Sequence, residues 1–266
     1  PGGVALARRR RRVRPSHCLT QGHAVDAMIL AAGYGTRLRP LTDRTPKILI
    51  EVAGATLLEH IGQRLIRAGA DRIIVNTHHL AEQVERFAQE RWTLDAELIL
   101  THEPETALGT GGGLLHAAPH IRRDAPFFLH VGDVISELDL AGLYAAQEGS
   151  GNLATLAVHD RGASRCILFD EQGLMGRDNE IEGWERSVRA PDGSVRRWSF
   201  AGAHVVSPDI FDRFVETPPF DILDAYLRMV SEGARIAPFD VHGSRWLEVG
   251  NPQRLAQTRE VLAEDG

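Results

Sequence analysis

The sequence predicts an α/β fold in which a mostly parallel β-sheet is flanked by helices. From residue 25 onwards, short apolar segments alternate with amphipathic segments of helical period, an order typical of parallel βαβ units with right-handed crossovers. The first apolar segment, Met28 to Ala31, runs directly into a glycine-rich loop. Ligands bind at the carboxyl edge of such sheets, so we expect a Rossmann-like domain with its site at this loop.

The individual elements follow from hydrophobic period and from the residues at their ends. Thr56 is expected to cap the first helix, which ends at Gly69. Residues 170–196 are rich in Gly, Asp and Arg, which predicts mobile hairpins. The remaining expected strands cover residues 28–31, 48–52, 72–76, 97–100, 127–131, 153–158, 165–169, 199–208 and 235–241. The other expected helices cover residues 80–89, 220–231 and 252–264, and one more follows residue 113.

Residues 1–24 differ in kind from the rest of the chain. Arg8 to Arg12 and Arg14 carry six positive charges, and no acidic residue accompanies them. Three interpretations are possible: an arm that binds nucleic acid, a targeting peptide, or sequence that lies outside the native protein. No apolar segment follows the arginines, which argues against a secretion signal. We expect a disordered leader over residues 1–24, since basic runs are usually solvated, and a single domain over residues 25–266.

Composition excludes several classes of function. Removing the six leader arginines from the 30 basic residues leaves 24 against 36 acidic residues, a net charge of about −12, which is unfavourable for nucleic acid. No apolar run approaches the roughly 18 residues of a membrane helix. The two cysteines, Cys18 and Cys166, offer neither a disulfide framework nor a metal cluster. We therefore expect a cytoplasmic protein that binds neither nucleic acid nor membrane.

The glycine-rich loop has the chemistry of a phosphate-binding site. Glycines allow positive φ and close backbone approach, so that amide N–H groups can turn toward an anion. Between positions 37 and 47, a single acid, Asp43, stands among four cations. These cations are Arg37, Arg39, Arg44 and Lys47.

Lys47 is the only lysine of the chain; every other basic residue is an arginine. A lysine is a compact point charge, whereas an arginine is a planar fork with five donors. A site that needs one ammonium against one phosphate oxygen does not accept the exchange. We therefore predict that Lys47 is catalytic.

Two common phosphate-binding motifs do not fit the loop. A dinucleotide-binding motif needs glycine where Leu38 stands, and a P-loop needs Gly-Lys-Ser/Thr over residues 36–38. The pattern Leu-Ala-Ala-Gly-x-Gly-Thr-Arg-Leu-x-Pro-Leu-Thr-x-x-x-Pro-Lys does fit, from Leu30 to Lys47. By these residues the sequence resembles the sugar-1-phosphate nucleotidylyltransferases.

This resemblance implies a single nucleotidyltransferase domain with a small β insertion on the acceptor side. It also implies that a sugar 1-phosphate attacks the α-phosphorus of a nucleoside triphosphate and releases pyrophosphate, with Mg²⁺ as cofactor. Arg37 and Lys47 would act on the phosphates. The nucleotide-binding residues of the loop would be Ala31, Ala32, Gly33, Gly35 and Thr36.

A second glycine cluster, Gly109-Thr-Gly-Gly-Gly113, precedes Leu114 and Leu115. From these residues alone, it is either a flexible turn before a helix or a backbone surface for a flat ligand. The resembled family carries a matching element against the nucleobase. The resemblance therefore implies that Gly109, Thr110, Gly111 and Gly112 bind the nucleotide.

Two acidic residues are candidate magnesium ligands. Asp133 follows the apolar strand at 127–131, where a carboxylate either caps the next element or holds a cation. The family's Gly-Asp ligand falls on Asp133. Its second ligand, in a Trp-x-Asp-x-Gly motif, falls on Glu248. The longer side chain displaces the carboxylate from where an octahedral site needs it, so this departure weakens the assignment of Glu248.

The sugar side departs from the family pattern at one further position. Gly202 matches a family glycine beside the sugar, although it also fits a packing role within a strand. Asp221 stands where related enzymes often place a lysine that binds the sugar phosphate. With no other lysine in the chain, that role would pass to an arginine, for which Arg165 is the candidate.

The residues leave open which base and which sugar are used. A phosphocholine cytidylyltransferase shares the same signature. A catalytically silent subunit that binds nucleotide sugars is the alternative outside the enzymes. Such a protein would be expected to lose Lys47 or Asp133 first, and both are present.

Overall fold

The computed structural model describes residues 4–6, 24–104 and 106–264. Its centre is one sheet of 11 strands, with two small two-stranded sheets beside it. The strands are β1 (Val4–Leu6), β2 (Val25–Leu30), β3 (Glu51–Val52), β4 (Ala55–Thr56), β5 (Ala70–Thr77), β6 (Glu97–His102), β7 (Phe127–Val131), β8 (Val134–Ser136), β9 (Ala154–His159), β10 (Arg165–Asp170), β11 (Gly173–Asn179), β12 (Trp184–Ser187), β13 (Arg196–Val206), β14 (Ile236–Asp240) and β15 (Trp246–Glu248). The helices are α1 (Leu57–Arg67), α2 (Ala81–Glu90), α3 (Gly109–Ala117), α4 (Leu140–Gln147), α5 (Ile222–Ser231) and α6 (Pro252–Ala263).

One half of the large sheet is parallel and has the strand order β6-β5-β2-β7. Helix α1 packs against the core through Leu58, Ile61 and Leu65, which are fully or almost fully buried. It begins with a capping box, in which the Thr56 hydroxyl accepts the Glu59 amide and the Glu59 side chain accepts the Thr56 amide. Because the four strands are parallel, their carboxyl ends meet at one edge, and the glycine loop lies there.

The other half of the sheet is antiparallel and is organised by the 11-residue strand β13. The carboxyl-terminal part of β13 lies between β7 and β9, and its amino-terminal part pairs with β10, which is followed by β11 and β12. Strand β14 extends this half by pairing in parallel with β9. The two parts of β13 meet at an irregularity that contains Gly202, whose φ is +90°.

The predicted α/β fold, a mostly parallel sheet flanked by helices, is confirmed as a mixed sheet whose central strands are parallel. Within residues 170–196, where hairpins were predicted, β11 and β12 form one. The prediction of a strand at 48–52 was wrong over its first part. Lys47–Leu49 form a 3-10 turn, in which the Leu49 and Ile50 amides donate to Pro46 and Lys47. The alternating apolar residues Ile48 and Ile50 are buried against the core by this turn rather than by a strand.

The predicted leader is only partly described. Val4–Leu6 form a strand that lies antiparallel to β6, whereas no structure was expected for residues 1–24. The arginine run at 8–14 and Cys18 lie outside the described residues. Within the described chain, no helix has the length and apolar character needed to cross a membrane.

Candidate active site

A cleft of about 400 Å³ opens at the carboxyl edge of the parallel strands. Residues from the ends of β2, β5, β6 and β7 meet there, as the order of elements predicted. The cleft is lined by Leu30, Ala31, Ala32, Gly33, Gly35, Thr36, Arg37, Lys47, Ile48, Asn76, Glu103, Ala107, Gly109, Thr110, Val131, Gly132, Asp133 and Gly250. All seven residues predicted from the first glycine loop are among them.

The first glycine loop presents its backbone to the cleft. In the described part of the chain, no group accepts the N–H of Gly33 or Gly35. A Cβ on Gly33 would meet nothing within 4 Å, whereas one on Gly35 would lie 2.8 Å from the Thr42 methyl carbon, and φ of Gly35 is +62°. The loop is tied at its start by the Ala31 amide, which donates to Asn76 Oδ1 at 2.7 Å. Its free amides are therefore available to an anion.

Lys47 and Asp133, which both line the cleft, form an ion pair. Lys47 Nζ donates to Asp133 Oδ2 at 2.6 Å, and the two side chains are 15% and 29% exposed. Lys47 is positioned by the 3-10 turn at its own residue, and Asp133 by the end of β7. The structure thus brings together two predicted residues that are separated by 86 positions in the sequence.

Arg37 and Glu248 come from opposite ends of the chain and also lie near each other. Arg37 Nη2 is 3.9 Å from Glu248 Oε1, and Arg254 of α6 forms a closer ion pair with the other carboxylate oxygen. Gly250 leaves room for this arrangement, because a Cβ there would lie 2.4 Å from Glu248 Oε1. Glu248 is not among the cleft-lining residues. Its carboxylate is directed to two guanidinium groups, a pairing with Arg254 that the sequence analysis did not foresee.

The second glycine cluster differs from the prediction. The helix α3 begins at Gly109, so the glycines lie inside its first turns. The Gly111 and Gly112 amides donate to the Phe220 carbonyl at 3.0 and 3.4 Å, and both residues are buried. Only Gly109 and Thr110 of this cluster line the cleft. These glycines allow α3 to pack against the Phe220 ring, which a Cβ on Gly111 would meet at 2.2 Å. Nucleotide contacts by Gly111 and Gly112 stay a prediction.

Two cleft residues, Asn76 and Glu103, were missed by the sequence analysis. Asn76 Nδ2 donates to Glu103 Oε1 at 2.6 Å, and the Leu108 amide donates to Glu103 Oε2 at 2.8 Å. Both residues are almost fully buried. Their position at the carboxyl ends of adjacent predicted strands was the available signal, since polar residues there lie at the binding edge.

The predicted sugar-side residues lie outside the cleft lining. Arg165 is an exposed residue 3.4 Å from Glu182, so it is not brought to the other site residues. Gly202 packs on β7, where a Cβ would lie 2.7 Å from the Val131 side chain. Asp221 caps α5 by accepting the Leu223 amide at 2.8 Å. The packing role of Gly202 accounts for the glycine without a ligand.

An arginine other than Arg165 lies beside Asp221. Arg177 Nη2 is 3.8 Å from Asp221 Oδ2, and its Nη1 donates to Asp224 at 2.9 Å. The Thr110 hydroxyl, at the edge of the cleft, donates to Asp221 Oδ1 at 3.3 Å. A cation is therefore present near this position, but it comes from β11 and is neutralised by α5.

Two buried histidines lie where the two halves of the sheet join. Burial lowers the pKa of His130, on β7, to about 4 and that of His204, on β13, to about 3. Their strands are paired, with His130 opposite Ala203. Both imidazoles are therefore neutral at pH 7, and they add no positive charge beside the cleft.

The donor set of the cleft fits magnesium with few protein ligands. Among the described residues, no group of three or more His, Cys, Asp or Glu side chains could hold a metal ion. Mg²⁺ usually keeps several waters and is bound through one or two carboxylates plus substrate phosphates. Asp133, partly exposed to the cleft, fits this role, whereas Glu248 is committed to Arg254 and Arg37.

A known protein family and several of its named members match this chain. The Nucleotidyl transferase family profile matches residues 26–265. The chain is 30% identical over 255 residues to the N-acetylmuramate alpha-1-phosphate uridylyltransferase of Caulobacter vibrioides, covering 90% of this chain and 97% of that relative. It is 31% identical over 244 residues to the mannose-1-phosphate guanylyltransferase catalytic subunit beta of Drosophila pseudoobscura pseudoobscura. That match covers 88% of this chain and 61% of the relative, so the chain spans about three fifths of its length.

Solved structures share the fold over almost the whole chain. The inositol-1-phosphate CTP transferase of T. maritima aligns with a TM-score of 0.72 and 20% identity, covering 92% of this chain and 97% of that one. A UDP-glucose pyrophosphorylase complexed with UDP-glucose aligns with a TM-score of 0.73 and 15% identity, covering 92% and 100%. At these identities the likeness concerns the fold.

Proposed function

Since the chain belongs to the nucleotidyl transferase family, we propose that it transfers a nucleotidyl group from a nucleoside triphosphate to a sugar 1-phosphate, with Lys47 as the central catalytic cation. The family and the relatives make it a nucleotidyltransferase. The single observation that supports the site is the Lys47–Asp133 ion pair in the cleft, beside the glycine loop, where a Cβ on Gly35 would lie 3.5 Å from Lys47 Cβ. A cytoplasmic location remains an expectation from the sequence.

In the proposed reaction, an oxygen of the sugar phosphate attacks the α-phosphorus, the bond to the bridging oxygen breaks, and pyrophosphate leaves with that electron pair. A phosphate monoester is already ionised at neutral pH, so the attack needs no general base. Positioning and neutralisation of charge supply the acceleration. The open Gly33 and Gly35 amides and Arg37 bind the β and γ phosphates, and Lys47 stabilises the charge that develops at the α-phosphate.

Asp133 holds Lys47 in place through its 2.6 Å contact. Asp133 would also hold Mg²⁺, which supplies Lewis-acid stabilisation of phosphate oxygens when bound. Glu248 was predicted as the second ligand, but its ion pairs with Arg254 and Arg37 favour a different role, in which it holds Arg37 toward the phosphates. This role for Glu248 is part of the proposal.

The test is pyrophosphate release in the presence of Mg²⁺, with ATP, CTP, GTP, UTP and dTTP crossed against a panel of sugar 1-phosphates and phosphocholine. We expect release with at least one sugar 1-phosphate. Lys47→Ala should reduce the rate roughly 10²- to 10³-fold, the usual effect of removing one electrostatic donor. Lys47→Arg should not restore it, because the fork geometry does not reproduce a single ammonium contact.

Arg91→Ala is the matched control, since Arg91 is an exposed cation paired with Glu51 outside the cleft. It should turn over at the wild-type rate. If no pair of substrates released pyrophosphate but calorimetry still showed binding of a nucleotide sugar, the protein would be a catalytically silent subunit that binds nucleotide sugars, and this proposal would be wrong. Wild-type turnover by Lys47→Ala would remove Lys47 from the mechanism.

A further inference from the structure

Trp246 lies beside the cleft, on the strand that also carries Glu248. Glu248 is opposite Val134, the residue after Asp133. Trp246 is two positions away along β15, roughly 7 Å. Side chains two positions apart on a strand point to the same face, so Trp246 faces the side on which Glu248 meets the cleft residue Arg37. The indole therefore lies next to the cleft, beyond Asp133 rather than at the reacting phosphates.

An arginine is stacked on this indole. Arg161, from the segment between β9 and β10, has its Cζ 3.3 Å from the centre of the Trp246 ring. The indole N–H is held by the Ala201 carbonyl at 2.8 Å. At 3.3 Å the planar guanidinium must lie face to face with the ring, since a perpendicular one would drive its nitrogens into the ring atoms. Its N–H donors lie in the guanidinium plane, so they point sideways and stay open to an acceptor.

Arg161 has no acidic partner. In the part of the chain that the structure describes, no carboxylate forms an ion pair with it, and no oxygen accepts a hydrogen bond from its guanidinium. Burial, and then the positive charge of Arg254, lower the pKa of Arg161 to about 10. Glu248 is paired with Arg254 and Arg37 instead. The cation on Trp246 is thus left without a counter-charge, and an anion that arrives there gains charge-assisted hydrogen bonds.

A buried histidine beside the same ring also lacks partners. His159, the last residue of β9, is 4% exposed, and its ring centre lies 5.7 Å from that of Trp246. Within the described chain, neither ring nitrogen has a hydrogen-bond partner. Burial, and then Arg161, lower the pKa of His159 to about 4, although Asp160 acts in the opposite direction, so the imidazole is neutral at pH 7. Buried polar groups normally find a partner, so this ring is a second, independent sign of a polar ligand.

The position of Arg161 decides which part of a substrate could reach it. In the proposed reaction, the 1-phosphate of the acceptor attacks beside Lys47 and Asp133, which line the cleft, and the triphosphate lies on the glycine loop. The side toward Trp246 is left for the sugar ring, whose far substituents then come to Arg161. A hydroxyl group does not offset the desolvation of a guanidinium as a carboxylate or a phosphate does.

We infer that Arg161, stacked on Trp246, is a specificity-determining residue that binds a second anionic group of the acceptor. The site prefers sugar 1-phosphates that carry a carboxylate or a phosphate on the ring to those that carry hydroxyl groups only. This inference rests on the proposed function and narrows its acceptor to acidic sugars. It involves none of the residues that act on the triphosphate.

The first experiment compares acceptors that differ in one group. Glucose 1-phosphate is paired with glucuronic acid 1-phosphate, with 3-O-carboxymethyl-glucose 1-phosphate and with glucose 1,6-bisphosphate, and kcat/KM is measured with the triphosphate that turns over best. We expect at least one anionic acceptor to exceed glucose 1-phosphate by about tenfold or more, the effect of a charge-assisted hydrogen bond. The carboxylated and phosphorylated members distinguish the two anions. Equal or lower values for all three would overturn the inference.

Binding without turnover separates this inference from the proposed function. Calorimetry with the same acceptors, in the presence of α,β-methylene triphosphates in which the bond that would break is blocked, measures acceptor affinity alone. A protein that releases no pyrophosphate but binds an anionic acceptor about tenfold more tightly than glucose 1-phosphate supports the inference and removes the enzyme activity. Turnover without this preference supports the activity and contradicts the inference.

The variant Arg161→Gln tests the residue itself. The ratio of kcat/KM for the best anionic acceptor to that for glucose 1-phosphate, or of the two affinities where there is no turnover, should fall about tenfold or more. Binding of the triphosphate should stay unchanged. Arg123→Gln is the matched control, because Arg123 is also stacked on an aromatic ring, with its Cζ 4.3 Å from the centre of Phe211, and lies outside the cleft lining.

A role of Arg161 in stability alone would lower the melting temperature of Arg161→Gln, as the loss of the stacked arginine does in Arg123→Gln, and leave the acceptor ratio unchanged. That result would remove Arg161 from acceptor recognition. If Arg161→Gln does not fold, the comparison of acceptors with the wild-type protein decides the question.

Discussion

The two halves of the sheet treat their candidate residues differently. In the parallel half, every residue predicted from the first glycine loop, together with Lys47 and Asp133, lies at one cleft. In the antiparallel half, Gly202 packs inside the sheet and Arg165 pairs with Glu182 at the surface. Glu248, on the separate small sheet of β8 and β15, forms ion pairs with two arginines. The difference shows that parallel strand ends collect functional groups by topology, whereas antiparallel strands place them according to their particular pairings.

The largest expected effect concerns the parallel half. Asp133→Asn keeps the shape of the side chain but removes the charge that holds Lys47 and would hold Mg²⁺. We expect kcat to fall roughly 10²- to 10³-fold, measured as pyrophosphate release. The Mg²⁺ concentration needed for half-maximal activity should also rise. Asp212→Asn is the control, since the Asp212 side chain is 81% exposed and lies outside the cleft lining. If Asp133→Asn kept its activity, the parallel half would not differ from the antiparallel half in this respect.

The two glycine clusters sharpen the comparison within the parallel half. Gly111→Ala drives a Cβ to 2.2 Å from the Phe220 ring, so we expect the free energy of unfolding to fall by about 1–3 kcal/mol. Gly33→Ala meets nothing within 4 Å and should leave that free energy unchanged while raising KM for the triphosphate. Urea denaturation and steady-state kinetics of both variants measure these quantities. If Gly111→Ala had wild-type stability, the packing role of Gly111 would be wrong, and the predicted nucleotide contact would be favoured.

The stability of the protein should depend on pH through two histidines buried where the halves of the sheet join. Burial lowers the pKa of His130 to about 4 and of His204 to about 3. Below the unfolded value near 6.5, the unfolded chain binds protons that the folded chain does not, so stability is lost as pH falls from about 6.5 toward 4. We expect the free energy of unfolding to drop by about 2 kcal/mol per histidine between pH 6.5 and 5.

The check for this pH dependence is urea denaturation at several pH values, compared with His204→Phe. An aromatic ring of similar size does not titrate, so the variant should show a shallower slope over the same range. An identical slope in both proteins would mean that His204 does not contribute to the dependence.

The smallest expected effect concerns Arg165 in the antiparallel half. Its side chain is 67% exposed, and its partner Glu182 is also exposed. Exposed pairs contribute little, so Arg165→Ala should leave kcat/KM and stability within about twofold and 0.5 kcal/mol. Arg177→Ala, beside Asp221, provides the comparison. A selective rise of KM for the sugar phosphate in Arg165→Ala would show that Arg165 reaches the acceptor after all.

The parallel half could be predicted from the sequence because the patterns that define it are local. A strand, a glycine loop and a helical period can each be read within about twenty residues, and parallel topology then places Lys47 beside Asp133. The contacts of Glu248 with Arg37 and Arg254 depend on pairing between β15 and β8, which no local pattern encodes. Likewise, the packing of the glycines at 111 and 112 could not be predicted, because their partner Phe220 is more than 100 positions away.

The single strand β13 belongs to both halves of the sheet. Its last residues form a wall against β7, and its first residues carry the hairpins β10, β11 and β12 on the far side of Gly202. The hairpins are therefore connected to the cleft in two places: through β13, and through Arg177 of β11, which lies 3.8 Å from Asp221, the acceptor of the Thr110 hydroxyl at the cleft edge. We therefore expect the tips of these hairpins to tolerate a change of length without effect on the cleft, as long as Gly202 and Arg177 keep their contacts.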